Sequence, residues 1–437
     1  MGSIEMRPAT PEEAAKENSL PFTREQIEKI TREYPTPFFI YDEQAIRQNA
    51  RDFNEAFSWA PGFLNFYAVK ALPNPHILVP LHEEGFGADC SSMAELVMAQ
   101  RVGLKGEEIM FTSNNTPVDQ FALASELGAI INLDDITHLP FLEKHVGIPK
   151  TLCFRFNPGP LREGNPIIGK PEEAKYGLTK DQLFRAYKMA KEKGVKKFGL
   201  HTMIASNERD PEYFAETARM LFALVGEIHD RLGIRISFIN LGGGVGIPYR
   251  PEHDKVDMKQ ISKQVQADYQ TMIVDEGLDP LQITMECGRF VTGPYGYYVA
   301  RVRHLTRKYR DYVGLDGSTT DMPRVAIYET AYHHATVLGK EGAPREMVYD
   351  ITGSLCENND KWAKQREMPK IDQDDLVVVH DAGAHGSAMA NRYNGQLGAK
   401  ALLLRPDGSV LLITREETIE DYFSTIVNFP GFGDTTA

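Results

Sequence analysis

From residue 63 the chain alternates short apolar runs with longer segments of helical periodicity. The runs are FLNFYAV (63–69), FGADC (86–90), IMFTS (109–113), AIINLD (129–134), TLCFRFN (151–157), FGLHTMI (198–204), SFINLGG (237–243) and ITMECG (283–288). Between them lie stretches such as SMAELVMAQRVG, KDQLFRAYKMAKEKG and PEYFAETARMLFALVGEIHDRLG, closed by glycine as a helix C-cap would be. Runs that are apolar throughout suit strands buried on both faces of a parallel sheet. Eight strand-helix units over roughly 230 residues predict a (β/α)8 TIM-like barrel. The rival, a doubly wound open sheet, lacks a first strand leading into GxGxxG.

The flanks differ. Residues 1–35 are expected to form a mobile arm with a helix in TREQIEKITREY, followed by a short strand in PFFIYD. The segment EQAIRQNARDFNEAFSW then places Ala45, Ile46, Ala50, Phe53 and Phe57 near one helical face. After residue 295 strand-like runs follow one another with little helix: YYVARVRHLTRK, PRVAIYETAYHH, EMVYDITG, DDLVVVHD and AKALLLRPDGSVLLITR. In the last, Pro-Asp-Gly marks a hairpin turn. The expected organisation is an arm (1–35), a barrel (45–295) and an all-β domain built from 36–44 and 296–437.

Composition narrows the classes. The chain has 437 residues, 42% hydrophobic and 25% charged, enough for two globular domains. A net charge of −13 argues against a nucleic-acid or anionic-membrane binder. The four cysteines, Cys90, Cys153, Cys287 and Cys356, show no CxxC spacing, which points away from a zinc site or disulfide framework and toward a reducing cytoplasm. No metal site is expected. The polar, acidic N-terminus is unlike a signal peptide, and no apolar run is long enough to span a membrane.

In such a barrel, function gathers at the carboxyl ends of the strands. Lys70 ends the first run, Asp89-Cys90-Ser91-Ser92 the second, and Arg155-Phe156-Asn157-Pro158 the fifth. His201 through Asn207 end the sixth, Gly242, Gly243 and Gly244 the seventh, and Glu286-Cys287-Gly288-Arg289 the eighth. Each has a plain structural reading: a solvated lysine, a tight glycine turn, a Glu286–Arg289 ion pair. Together they suit one cofactor. A lysine can form a Schiff base, bare glycine amides can cradle a phosphate, and a carboxylate can keep a pyridine nitrogen protonated. Pyridoxal 5′-phosphate needs all three.

The chain resembles the fold-type III pyridoxal-phosphate decarboxylases, nearest to the diaminopimelate decarboxylases, over nearly its whole length beyond the arm. The resemblance implies an alanine racemase-like barrel plus a C-terminal all-β domain. FYAVKALPNP is similar to the Schiff-base motif, giving that role to Lys70, and GADCSS places Asp89 beside the cofactor. LGGGVGIPY resembles the phosphate loop, Gly242 to Gly244. ECGRF resembles a Glu-Pro-Gly-Arg motif, which assigns Glu286 to the pyridine nitrogen and Gly288 and Arg289 to cofactor binding, Arg289 also reaching the substrate carboxylate. In the β domain, DMPRVAIYETAYHH implies that Arg324 and Tyr328 hold the distal end of the substrate. GSLCENND implies that Cys356, as general acid, and Glu357 enter the site from the other subunit of a homodimer.

Three departures accompany the resemblance. HTMIASN has Met203 and Ala205 where the family has His and Gly; His201, on the strand face of Met203, is expected to contact the cofactor, and Ser206 keeps a phosphate contact. His385 stands where relatives have a phosphate-binding tyrosine, with Tyr393 nearby. The loop 159–178 differs over a region that helps to recognise substrate. The implied activity is α-decarboxylation of an amino acid, meso-diaminopimelate to L-lysine. Alternatives are decarboxylation of ornithine, lysine, arginine, carboxynorspermidine or a specialised-metabolite precursor, a racemase, and a non-catalytic regulatory homologue.

Overall fold

A computed structural model describes residues 6–164, 167 and 169–427. Residues 1–5 of the expected arm, 165, 166 and 168 of the divergent loop, and 428–437 of the expected β domain lie outside the described residues. The chain divides into two compact units.

One unit holds Glu43–Tyr295 and Gly383–Ala388. It contains a closed, all-parallel barrel of eight strands. These are β1 (Leu64–Ala68), β2 (Gly87–Cys90), β3 (Ile109–Thr112), β4 (Ile130–Leu133), β5 (Thr151–Phe156), β6 (Lys197–Thr202), β7 (Ile236–Asn240) and β8 (Gln282–Met285). Pairing of Leu64 with Thr284 closes the ring. Each apolar run of the sequence contributes one strand, in the order written.

The strand period of two sorts the barrel interior into tiers. Phe66, Met110, Ile130, Cys153 and Phe238 form one buried apolar cluster. Gly87 and Gly199 make room for its two rings. A Cβ on Gly87 would come 2.8 Å from Phe66 Cδ1, and one on Gly199 would come 2.1 Å from Phe238 Cζ. Two residues further along, the strands carry Asp89, Thr112, Asn132, Arg155, His201 and Asn240. The barrel therefore has an apolar floor and, toward the strand carboxyl ends, a polar tier.

The other unit holds the residues up to Asp42, Gly296–Ala382 and Met389 onward. Its sheet of nine strands has Gly296–Arg307 near the centre, antiparallel to Phe38–Asp42, which in turn runs parallel to Lys400–Leu404. The Pro-Asp-Gly hairpin joins Lys400–Leu404 to Val410–Thr414, with Gly408 at φ +81°. Residues 6–35, expected as an arm, form helices Pro11–Glu17 and Arg24–Glu33 within this unit. The reason is visible in TREQIEKITREY: Ile27, Ile30 and Tyr34 share a helical face. Ile27 joins Phe22, Phe38, Ile40, Val299 and Leu402 in the core. The buried Glu17 carboxylate meets His334 Nε2 at 3.1 Å, accepts from Gly342 N–H at 2.7 Å and pairs with Arg345.

Three further expectations change. Glu43 and Gln44, expected with the β domain, begin the helix Glu43–Ala56 of the barrel unit. The segment 383–388 also joins that unit, its backbone tied by Gly383 N–H to Gly293 O (3.0 Å) and His385 N–H to Ala71 O (2.8 Å). PRVAIYETAYHH is not one strand: Arg324–Ile327 is a helical turn capped by Pro323, a residue that cannot donate to a sheet ladder.

The tiering makes Gly199→Ala a test of the floor. The added methyl meets a ring held on all sides, and overpacking of this kind costs about 1–3 kcal/mol. The urea unfolding midpoint is expected to fall accordingly; an unchanged midpoint would mean that Phe238 is not fixed by its neighbours.

Candidate active site

Lys70 follows β1 directly, in the short helical turn Val69–Ala71. Its side chain is 51% exposed, and Nζ lies 4.0 Å from Asp89 Oδ2 at the end of β2. Asp89 itself is 2% exposed, and its Oδ1 has no hydrogen-bond partner. Burial pushes the Asp89 pKa well up, and the charge of Glu286 pushes it further, against the pull of Lys70.

Glu286 leaves β8 and is buried. Its Oε2 lies 3.0 Å from His201 Nε2 and 3.4 Å from Asn240 Nδ2. Burial alone would raise its pKa; His201, Lys70 and Arg155 outweigh that and hold it low. The site thus contains two buried acids of opposite habit. Asp89 is pushed toward its neutral form, and Glu286 is held toward its ionised form.

Gly242 (φ +76°), Gly243 and Gly244 (φ +84°) follow β7. No side chain fits here. A Cβ would stand 2.3 Å from Thr202 O at Gly242, 2.5 Å from Glu286 O at Gly243 and 2.3 Å from Ala205 O at Gly244. The Gly242 N–H donates to Asn240 Oδ1 (2.8 Å), and the Gly243 N–H meets Met203 Sδ at 3.3 Å. Nearby, Arg289 Nη2 lies 3.5 Å from Ser206 Oγ, and Nη1 bonds Tyr249 OH. Gly288 packs so closely that a Cβ would come 2.7 Å from Ala71 Cβ, one residue past Lys70. His385, at φ +54°, donates its N–H to the same residue's carbonyl. A hydroxyl, a guanidinium and a bare glycine backbone suit an anion such as a phosphate ester. An acid held toward its ionised form, a second pushed toward its neutral form and a lysine at the rim suit an aromatic nitrogen and a carbonyl. The donor set therefore fits pyridoxal 5′-phosphate.

Sequence reasoning left Arg155 without a role. It is buried at the end of β5, its guanidinium 3.8 Å from the centre of the Tyr176 ring, with Nη2 3.5 Å from Met203 O. Asn132, Asn240 and Tyr249 were missed as well. The available signal was the polar residue that each of these runs carries near its end. Met203 lines a small pocket with Ile204, Phe156, Asn157, Lys170 and Tyr176, so the divergent loop and the substituted methionine share one wall.

The remaining predicted residues lie in the β unit. Arg324 is buried, with Nη1 3.1 Å from His333 Nε2. Tyr328 caps the same helical turn. Cys356 is exposed, its N–H donating to Asn394 Oδ1 at 2.7 Å, and Glu357 beside it accepts from Asn359 N–H at 3.1 Å. Tyr393 is 55% exposed. The other three cysteines are buried, and burial raises the pKa of each.

The family described as "pyridoxal-dependent decarboxylase, pyridoxal binding domain" matches residues 43–293. Protein TabA of Pseudomonas amygdali pv. tabaci is 37% identical, covering 92% of this chain and 93% of that protein. The diaminopimelate decarboxylase of Methanothermobacter thermautotrophicus is 31% identical, covering 90% and 92%. Among solved structures, diaminopimelate decarboxylase from M. jannaschii in complex with L-lysine superposes with a TM-score of 0.84 at 29% identity, covering 92% of this chain and 94% of that one.

The glycine cradle generates a direct test. In Gly244→Ala the methyl strikes Ala205 O and the residue is held at positive φ, a strain of about 1–3 kcal/mol. Affinity for pyridoxal 5′-phosphate, measured by equilibrium dialysis, is expected to fall at least about tenfold. Unchanged affinity would remove this loop from the site.

Proposed function

The chain belongs to the pyridoxal-dependent decarboxylases, and from that premise we propose that it removes the α-carboxylate of meso-diaminopimelate to give L-lysine. Pyridoxal phosphate, when bound, supplies an electron sink for the electrons left at Cα. The residues of the chain do the rest. Lys70 anchors the cofactor through Nζ. Glu286, ionised, holds a proton at the ring nitrogen. Asp89, protonated, adds a hydrogen-bond donor without a second negative charge. Ser206, Arg289, His385 and the loop Gly242–Gly244 hold the phosphate, with Gly288 allowing close approach and Tyr393 as a further contact.

Arg324 carries the choice of substrate. A guanidinium at the distal end recognises a carboxylate better than the ammonium of a simple diamine. Tyr328 and Glu357 complete that end, Glu357 taking the distal ammonium. Cys356 returns a proton to Cα. It is the exposed thiol of the four, as a group delivered to a second protomer must be, and we take the working unit to be a homodimer with shared sites. The relatives named for diaminopimelate and the lysine-bound neighbour support the same substrate. All four thiols are unpaired, which supports a reducing cytoplasmic setting, and among the described residues no helix is long and apolar enough to cross a membrane.

A second reading is decarboxylation of a different amino acid. Two observations favour it. TabA, not named for diaminopimelate, is 37% identical, against 31% for the Methanothermobacter decarboxylase. Met203 and the divergent loop also share a pocket wall.

The two readings separate in an assay of CO2 release across a panel of amino acids. Release from meso-diaminopimelate at least about tenfold above any other is expected, with a single distal carboxylate worth that much when its arginine partner is buried. Release from another substrate alone would transfer the assignment to the second reading. Mixing inactive Lys70→Ala with inactive Cys356→Ala is expected to restore about a quarter of the activity per active site if protomers exchange at random and sites are shared. No recovery would mean self-contained sites.

A further inference from the structure

Behind Glu286 runs a line of polar side chains to which the proposed mechanism gives no part. His201, on β6, is completely buried. Its Nε2 lies 3.0 Å from Glu286 Oε2, at ion-pair distance but without the alignment of a full hydrogen bond. Its Nδ1 lies 2.9 Å from Asn132 Nδ2 on β4, and that amide also donates to Thr112 Oγ1 on β3 at 3.1 Å. Asn240, on β7, brings Nδ2 to 3.4 Å from the same Oε2 while its Oδ1 receives the Gly242 N–H.

Hydrogen-bond chemistry fixes the protons along this line. An ionised carboxylate only accepts, so the nitrogen facing it, Nε2, carries a hydrogen. In a neutral imidazole Nδ1 must then accept, which requires Asn132 to present its NH2 group, the orientation found. Burial favours the neutral imidazole by lowering its pKa, against the pull of Glu286. Across the barrel mouth, Asp89 has Thr112 and Lys70 as stabilising neighbours, and its buried Oδ1 lacks a partner. The two acids are thus distinguished by their surroundings: Asn240 donates to Glu286, and His201 Nε2 faces the same oxygen at 3.0 Å.

We infer that His201, oriented by Asn132, is a positioning residue whose Nε2–H decides which of the two buried acids stays ionised, and so sets the protonation of the cofactor's ring nitrogen. This rests on the assignment of Glu286 to that nitrogen. It changes the expected role of His201 from a cofactor contact to a support behind the residue that makes the contact. Such a residue acts on the cofactor's electronics without touching substrate. A role limited to filling space would be served equally by an apolar side chain.

The test uses the holoprotein loaded with pyridoxal 5′-phosphate labelled with 15N in the ring, and the binding of pyridoxine 5′-phosphate, which makes no bond to Lys70. Four variants are compared with wild type. His201→Leu and His201→Met remove the donor in side chains of different shape, so that one misfolded protein does not end the test. His201→Gln places an amide N–H where Nε2 was. Glu286→Gln is the control. A protonated ring-nitrogen shift is expected in wild type and His201→Gln. It should move by more than half the way to the unprotonated value in both apolar variants, with pyridoxine phosphate affinity about tenfold weaker there and within about threefold of wild type in His201→Gln. If Glu286→Gln moves the nitrogen shift and the apolar variants do not, His201 is only space-filling and the inference falls while the Glu286 assignment stands. If Glu286→Gln leaves the shift unchanged, the assignment beneath the inference falls and takes it along. Should His201→Gln behave like His201→Leu, the donor is not what matters and the inference is again overturned.

Discussion

Two carboxylates buried in one barrel mouth cannot both be ionised without cost. Like charges in a poorly solvated site push one pKa up. Here the conflict is resolved by geometry. Glu286 is given His201, Asn240 and the more distant charges of Lys70 and Arg155; Asp89 is given Thr112, Lys70 at 4.0 Å and an oxygen with no partner. One acid therefore favours its charged form and the other its neutral form. Every role assigned in the mouth depends on that asymmetry, because a ring nitrogen that draws electrons needs an anion beside it, while the lysine next to Asp89 needs no competing charge.

The asymmetry is affordable because of the barrel's layering. Strands alternate their faces, so inward residues recur every second position. The lower inward positions are apolar and tightly filled, with Gly199 and Gly87 yielding space to Phe238 and Phe66. The next positions are polar, and parallel pairing brings residues from different strands to one height. Asn132 and His201 come from strands separated by more than sixty residues of chain, yet meet at 2.9 Å. Their hydrogen bonds form where water is excluded, which is why they can settle a proton's position.

Much of this was legible in the chain. The eight apolar runs correspond to the eight barrel strands, because parallel strands buried on both faces are written as continuous apolar segments. Lys70, the three glycines and Glu286 could be placed at strand ends from the same pattern. The arm was misread. The face formed by Ile27, Ile30 and Tyr34 is short, and its partners Val299 and Leu402 lie hundreds of residues away in sequence. Arg155 and Asn132 were overlooked for a related reason. A polar residue inside a strand declares its importance only when neighbouring strands show what it faces. His201 was associated with the cofactor itself, since the residue two positions on, Met203, replaced the family's histidine; its Nε2 instead lies 3.0 Å from Glu286 Oε2.

The central claim is that Lys70 is the covalent anchor around which these groups are arranged. Borohydride reduction of the holoprotein, followed by proteolysis and mass spectrometry, tests it most directly, because reduction freezes the imine bond at whichever lysine holds the cofactor. A pyridoxyl phosphate group on Lys70 alone is the expected result. The same label on a different lysine, or none after reduction of a fully loaded protein, would contradict it.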